Sequence, residues 1–159
     1  VMGSSISPLT ANAPTAGDSF EYHVDGDPMQ NPPSPWTDIY GRYPNRSPGK
    51  PRLMSCLIYL NDVWDVEEWG APTRSMDVAT DEHYDVTPQP GRCVLMDQDI
   101  RHTVVAPGAA AGKRPRYSLV WKLILHPKSP HQDMKNIGGE GRRRRTLWPE
   151  PILLGSAKR

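Results

Sequence analysis

The sequence predicts a mainly β protein, a β-sandwich or jelly roll with little helix. Three observations predict it. Apolar runs of strand length recur between Gly/Pro turns from residue 52 to residue 125. No window carries a helical period. Proline, at 18 of 159 residues, is about twice its average usage, which suits turns and extended connections better than helices.

Residues 1–18 are rich in Ser, Ala, Pro, Thr and Gly and read as an extended lead-in. The opening Val1-Met2-Gly3-Ser4-Ser5 is expected to be an internal cut from a longer chain. Residues 19–25 (SFEYHVD) alternate apolar and polar positions, as a half-buried strand does. Residues 26–51 are a long Pro/Asn/Gly-rich excursion. Its aromatics Trp36, Tyr40 and Tyr43 predict a loop docked on the body, and Trp36, Tyr40 and Arg42 are candidate substrate contacts. Strands are then expected over residues 52–61, 74–78, 84–87, 92–97, 102–106 and 116–125, with PGAAAGK (107–113) as a flexible turn. A single jelly-roll domain over residues 19–126 is the expected body. From about residue 127 the pattern stops. Residues 127–159 read as an extended basic tail, with four arginines at 142–145 and apolar segments at 147–149 and 152–154 that would dock on a surface.

Composition narrows the function. Net charge is +1, which argues against nucleic acid or an acidic membrane as the partner. Apolar content of 36% is low for one compact domain, so much of the chain must be loop or pack on something else. Cys56 and Cys93 make no disulfide framework and read as two small buried hydrophobes. No secretory signal and no membrane-length apolar run is visible. The expected compartment is intracellular, with cytoplasm, nucleus and organelles undistinguished.

Three signals carry chemistry. His23-Val24-Asp25 is an H-x-D triplet, and residues two apart on a strand point to one side, so an imidazole and a carboxylate can share an ion. His102 opens a later strand. Two His and one carboxylate leave three metal positions free, which suits Fe(II) with a bidentate cosubstrate and O₂. Structural zinc would want four ligands, mostly Cys, and calcium six or more oxygens, and neither set is present. The third signal is Arg116 with Ser118, on one face of the last strong strand. A guanidinium and a hydroxyl so placed can grip a carboxylate, and an arginine entering an apolar strand needs an anion.

In their order along the chain these stretches resemble the Fe(II)/2-oxoglutarate-dependent dioxygenase superfamily, especially its prolyl-4-hydroxylase-like branch. The matching residues are 22–25 (YHVD), 54–64 (MSCLIYLNDVW), 87–94 (TPQPGRCV), 102–107 and 115–123 (PRYSLVWKL). The resemblance implies a double-stranded β-helix, the jelly roll of that family. It implies His23, Asp25 and His102 as iron ligands and catalytic centre. It also implies Arg116, Ser118 and Tyr59 as the partners of the far carboxylate of 2-oxoglutarate, with Leu57 and Asn61 in strand phase with Tyr59. Fe(II) and 2-oxoglutarate follow as cofactors, with ascorbate as an accessory reductant. The implied activity is hydroxylation of a prolyl or other peptidyl side chain, with release of succinate and CO₂ and a protein or peptide as substrate.

Departures from the family keep two alternatives in view. Residues 1–18 lack the upstream metal-end Tyr, the helical layer before H-x-D is missing, and the double glycine after Y-L-N is replaced by Gly70-Ala71-Pro72-Thr73. The absent N-terminal support, with the low apolar content and the long peripheral tails, motivates a non-catalytic jelly-roll subunit of a larger assembly. The spacing from Arg116 to Lys122 is similar to the paired arginines of nucleic-acid oxidative demethylases, the further alternative. Along an extended strand Lys122 lies about 20 Å from Arg116, so it is not expected to share the Arg116 site.

Overall fold

A computed structural model of the chain describes residues 9–18 and 20–127. Residue 19 and the expected docking and arginine segments of the tail lie outside the described residues. Chain order is β1 (Thr10–Asn12), α1 (Pro35–Tyr40), β2 (Arg52–Tyr59), α2 (Val66–Trp69), β3 (Thr73–Met76), β4 (His83–Val86), β5 (Cys93–Asp97), β6 (His102–Val104), a 3₁₀ turn (Ala109–Ala111) and β7 (Ser118–Leu125). The protein is mostly β, as its turn-punctuated apolar runs predict.

The strands form two antiparallel sheets, ordered β1-β7-β2-β5 and β4-β3-β6. An isolated antiparallel bridge joins His23 to His102 and so adds the His23 segment to the free edge of β6. With that segment counted, the pairings nest along the chain. β1 pairs β7, the His23 segment pairs β6, β2 pairs β5, and β3 pairs β4. β7 also pairs β2, and β6 pairs β3. Four nested pairs rolled into two sheets are a jelly roll.

Among the described residues of the expected strand 19–25, only His23 pairs in this way. Val24 is 41% exposed, Phe20 is 39% exposed and lines a cavity, and Tyr22 stacks on His83, so the apolar members of the alternation share no single buried face. Past His23 the chain turns, and the Asp25 and Gly26 amides both donate to the Gln98 carbonyl, at 2.8 and 3.1 Å. Gly26 lets the chain pass close to the Gln98 side chain, which a larger residue would displace. A Cβ at that position would come within 2.8 Å of Gln98 Oε1. Residues 10–12, read from composition as lead-in, form the edge strand β1 on β7.

The two helices have six and four residues, too short for a period to show in sequence. Both are set by their caps. Ser34 accepts from the Thr37 amide while Thr37 Oγ1 accepts from the Ser34 amide, a reciprocal capping box ahead of Pro35. Asp65 caps the second helix through the Glu68 amide.

The 26–51 excursion is docked, as its aromatics predict. Asn45, 1% exposed, exchanges two hydrogen bonds with the backbone of Leu53, and Lys50 Nζ donates to the Tyr40 carbonyl. Trp36 and Tyr40 pack on each other and on His126 beyond β7. Arg42 donates to the Asn31 carbonyl within the same loop. Among the described contacts these three residues hold the loop in place and do not line the ligand cluster described below.

The low apolar content has a structural reason. Among the described residues, ten buried residues are polar or charged, beside eight apolar ones and five prolines. The buried charge of Asp97, at the end of β5, is paired: it takes Arg46 at 2.6 Å and Arg52 at 2.5 and 2.8 Å. The cysteines depart from expectation. Cys56 is buried, but Cys93 is exposed, and their Sγ atoms lie 3.3 Å apart as free thiols. Burial, then the Cys93 contact, pushes the Cys56 thiol up to about 11.

Candidate metal centre and anion pocket

The His23–His102 bridge does more than close the sheet. Its reciprocal backbone hydrogen bonds, 3.0 and 2.9 Å, bring the two imidazoles to a centroid separation of 4.5 Å. Each ring is oriented from behind. His23 Nδ1 lies 2.9 Å from the Glu21 carbonyl, and His102 Nδ1 lies 2.9 Å from the Ile100 carbonyl. A carbonyl only accepts, so both Nδ1 atoms carry a proton, and Nε2 is the ring atom each residue has left to ligate. Those Nε2 atoms face Asp25, at 3.7 Å from Oδ1 and 3.9 Å from Oδ2. One ligand atom from each of His23, Asp25 and His102 lies within 4.8 Å of the others. Two imidazoles and one carboxylate with converging lone pairs fit a divalent transition metal, with room for further ligands.

Burial opposes the charge on Asp25, but hydrogen bonds from Lys122 and Ser55, and the nearby Lys122 and His102, outweigh it and hold the carboxyl below its ordinary range. Ser55 Oγ donates to Asp25 Oδ2 at 2.5 Å, and the Lys122 ammonium pairs with the same oxygen. Burial likewise keeps His102 below the usual imidazole range, against its Ile100 hydrogen bond and the Asp25 charge. His102 is therefore neutral and ready to ligate at physiological pH.

A stability profile follows. The unfolded His102 takes up its proton near 6.5, while the folded one resists to lower pH. The unfolded state then binds more protons, so stability is lost as pH falls through 6.5 and the loss ends at the folded value. Urea midpoints of the metal-free protein from pH 7.5 to 5 are expected to fall, and His102→Gln is expected to flatten that slope. A slope identical in the variant would remove His102 as its source.

A cavity of about 240 Å³ runs from this cluster between the sheets. His23, Asp25, His102 and Lys122 line one part, and Leu57 and Thr73 line another. Behind Thr73 lies Arg116, 0% exposed. Its Nη2 donates to Thr73 Oγ1 at 2.7 Å, its Nη1 reaches Ser118 Oγ at 3.4 Å, and its guanidinium carbon lies 4.7 Å from the Tyr59 ring centroid. Tyr59 Oη lies 2.8 Å from Thr73 Oγ1. The sequence-expected trio Arg116, Ser118 and Tyr59 is thus brought together, with Thr73 between it and the cavity. Arg116 Nε is buried without a partner, and among the described residues no carboxylate pairs with this arginine. Burial pulls the guanidinium below its ordinary range, with Tyr59 partly opposing, and it stays cationic.

Leu57 lines the cavity as its phase predicts. Asn61 does not: its side chain accepts from the Tyr117 amide and donates to the Pro115 carbonyl, clamping the approach to Arg116. Three residues escaped the sequence reading. Ser55 carried a usable signal, its strand phase with Leu57 and Tyr59. Thr73 carried none. Distance along the strand separates Lys122 from Arg116, and that distance is what delivers it to Asp25 at the other end of the site. A larger cavity of about 470 Å³ shares Met96 with the first but holds no comparable ligand cluster.

The family model described as the 2OG-Fe(II) oxygenase superfamily matches residues 9–121. No curated protein matches the chain. Among solved structures, a Pseudomonas putida prolyl-4-hydroxylase is 21% identical at a TM-score of 0.48, over 74% of this chain and 52% of that one. A Trichoplax adhaerens prolyl hydroxylase, solved with a hypoxia inducible factor oxygen degradation domain peptide, is 18% identical at 0.47, over 74% and 45%. A Phytophthora capsici prolyl 4-hydroxylase is 22% identical at 0.44, over 80% and 38%. The chain thus spans about half or less of the length of these structures.

Proposed function

From the premise that this chain belongs to the 2OG-Fe(II) oxygenase superfamily, we propose that it is an Fe(II)- and 2-oxoglutarate-dependent dioxygenase that hydroxylates a prolyl or other peptidyl side chain. The observation that carries the reading is the pairing of two unsatisfied features along one cavity. One part presents converging lone pairs from His23, Asp25 and His102. Beyond Thr73 lies a buried cation with no carboxylate among the described residues. A dicarboxylate with a chelating 2-oxo end satisfies both.

His23, Asp25 and His102 would hold the iron, with their Nδ1 protons anchored on backbone carbonyls so that the rings cannot turn away. Arg116, with Ser118, Tyr59 and Thr73 around it, would take the far carboxylate of the cosubstrate and fix its direction. Leu57 and Met96 give the cavity apolar wall, which limits water near the oxidising centre. Bound iron, with 2-oxoglutarate and O₂, supplies the oxidative chemistry, whose products are succinate, CO₂ and the hydroxylated side chain. His23 is the exposed member of the triad, its side chain 47% exposed, and marks the face where a peptide would arrive.

The test is a purified reaction with Fe(II), 2-oxoglutarate, ascorbate and a panel of proline-containing peptides. Succinate by NMR, together with a 16 Da gain on a peptide (one added oxygen atom), is the expected result. Absence of both succinate and any thermal shift with metal plus 2-oxoglutarate would sink the reading.

A further inference from the structure

Lys122 lies at the metal cluster, and nothing in the proposed reaction uses it. It sits in β7 opposite Ser55 of β2. Its ammonium pairs with Asp25 Oδ2 and lies 3.3 Å from Ser55 Oγ. The Asp25 side chain is 10% exposed and the Lys122 side chain 29%. Lys122 also lines the cavity, so its head has open space beside the carboxylate.

The charges decide what this arrangement does. Asp25 is the one anion of the cluster, and Lys122 already neutralises it. A divalent ion among His23, Asp25 and His102 would place two positive charges beside an ammonium in a poorly solvated cavity. The metal and Lys122 therefore compete for the same carboxylate. An ammonium on a four-carbon stem can leave that carboxylate, but it then needs a new anion. A dicarboxylate entering the cavity supplies one.

We propose that Lys122 is a resident counterion of Asp25 that opposes the metal in the empty site and is released to the dicarboxylate, making metal and dicarboxylate bind cooperatively. The inference rests on the metal-plus-diacid reading above. Metal alone would leave an ammonium without its partner. With the diacid, the carboxylate at the metal end gives the ammonium a new anion, while the far carboxylate pairs with Arg116. Coupling of this kind is reciprocal, so the diacid also binds the metal-loaded protein better than the metal-free one, by the same factor. A protein so built retains metal poorly until its cosubstrate arrives.

Calorimetric titration with Mn(II), which replaces Fe(II) without turnover, tests this with and without saturating 2-oxoglutarate. Wild type is expected to bind Mn(II) at least about tenfold more tightly when 2-oxoglutarate is present, a factor a single neighbouring charge can supply. K122M is expected to bind Mn(II) alone about tenfold more tightly than wild type, and to gain several-fold less from 2-oxoglutarate. K122Q keeps a polar contact for Ser55 without the charge and should behave as K122M. K122R keeps the charge and should behave as wild type. Neutral variants with unchanged or weaker affinity for Mn(II) alone, or with an undiminished gain from 2-oxoglutarate, would overturn the counterion role while leaving the metal site standing. A wild-type protein whose Mn(II) binding is absent, or no different from that of H102A, would overturn the metal reading and the counterion role together.

Discussion

His102→Ala is expected to abolish succinate release and to weaken Mn(II) binding by well over 100-fold, since changes even to residues that only orient metal ligands cost about 10–100-fold. The prediction separates chemistry from folding. His102 joins the His23 segment through backbone atoms on both sides, and those hydrogen bonds survive loss of the ring. The imidazole itself is 7% exposed and kept neutral chiefly by burial, so its removal takes no charge from the interior. The remaining His23 and Asp25 offer two ligands, and His23 is half in solvent. Circular dichroism and the urea midpoint at pH 7.5 should stay near wild type while metal affinity and turnover vanish. Retention of wild-type Mn(II) affinity would mean that the ion, if bound, sits elsewhere.

The same residues show how much was legible beforehand. His23 and Asp25 could be read as a pair because strand alternation is local. Their convergence on His102, 77 positions beyond Asp25 in the sequence, could be suspected only from motif order, because it depends on a single backbone bridge between two short segments. β2 and β7 were legible for the opposite reason. Each holds eight residues with a long apolar run, and they pair along their whole length. The segment around His23 failed as a strand because alternation says nothing about whether a second sheet will cover the apolar side. The helices were invisible because six and four residues carry caps but no period. Lys122 was misjudged by measuring along its own strand. The relevant distance ran across the fold, to a carboxylate on another segment that no spacing within β7 could reveal.

Arg116→Met is expected to raise the stability of the ligand-free protein and to remove its response to 2-oxoglutarate. The guanidinium is fully buried, keeps its charge, and has hydroxyls and an aromatic face as neighbours but no carboxylate among the described residues. A buried cation without an anion costs several kcal/mol, and an apolar side chain of similar length recovers part of it. Hydrogen bonds lost at Thr73 and Ser118 reduce the gain, leaving a net stabilisation of roughly 1–2 kcal/mol. Thr73 keeps Tyr59 as a partner, which limits that loss. With Mn(II) present, 2-oxoglutarate should raise the melting temperature of wild type and leave that of the variant unchanged. Its affinity should fall at least about 100-fold, equivalent to roughly 3 kcal/mol for a charge-assisted carboxylate pair. Arg116→Lys should restore little of this, because an ammonium cannot span the fork between Thr73 and Ser118. The two halves of the prediction constrain each other. A structural arginine would destabilise the empty protein when removed, and a surplus one would leave 2-oxoglutarate binding intact. Only a cation held in reserve for an anion makes the empty protein more stable when it is lost and the loaded protein at least about 100-fold harder to form.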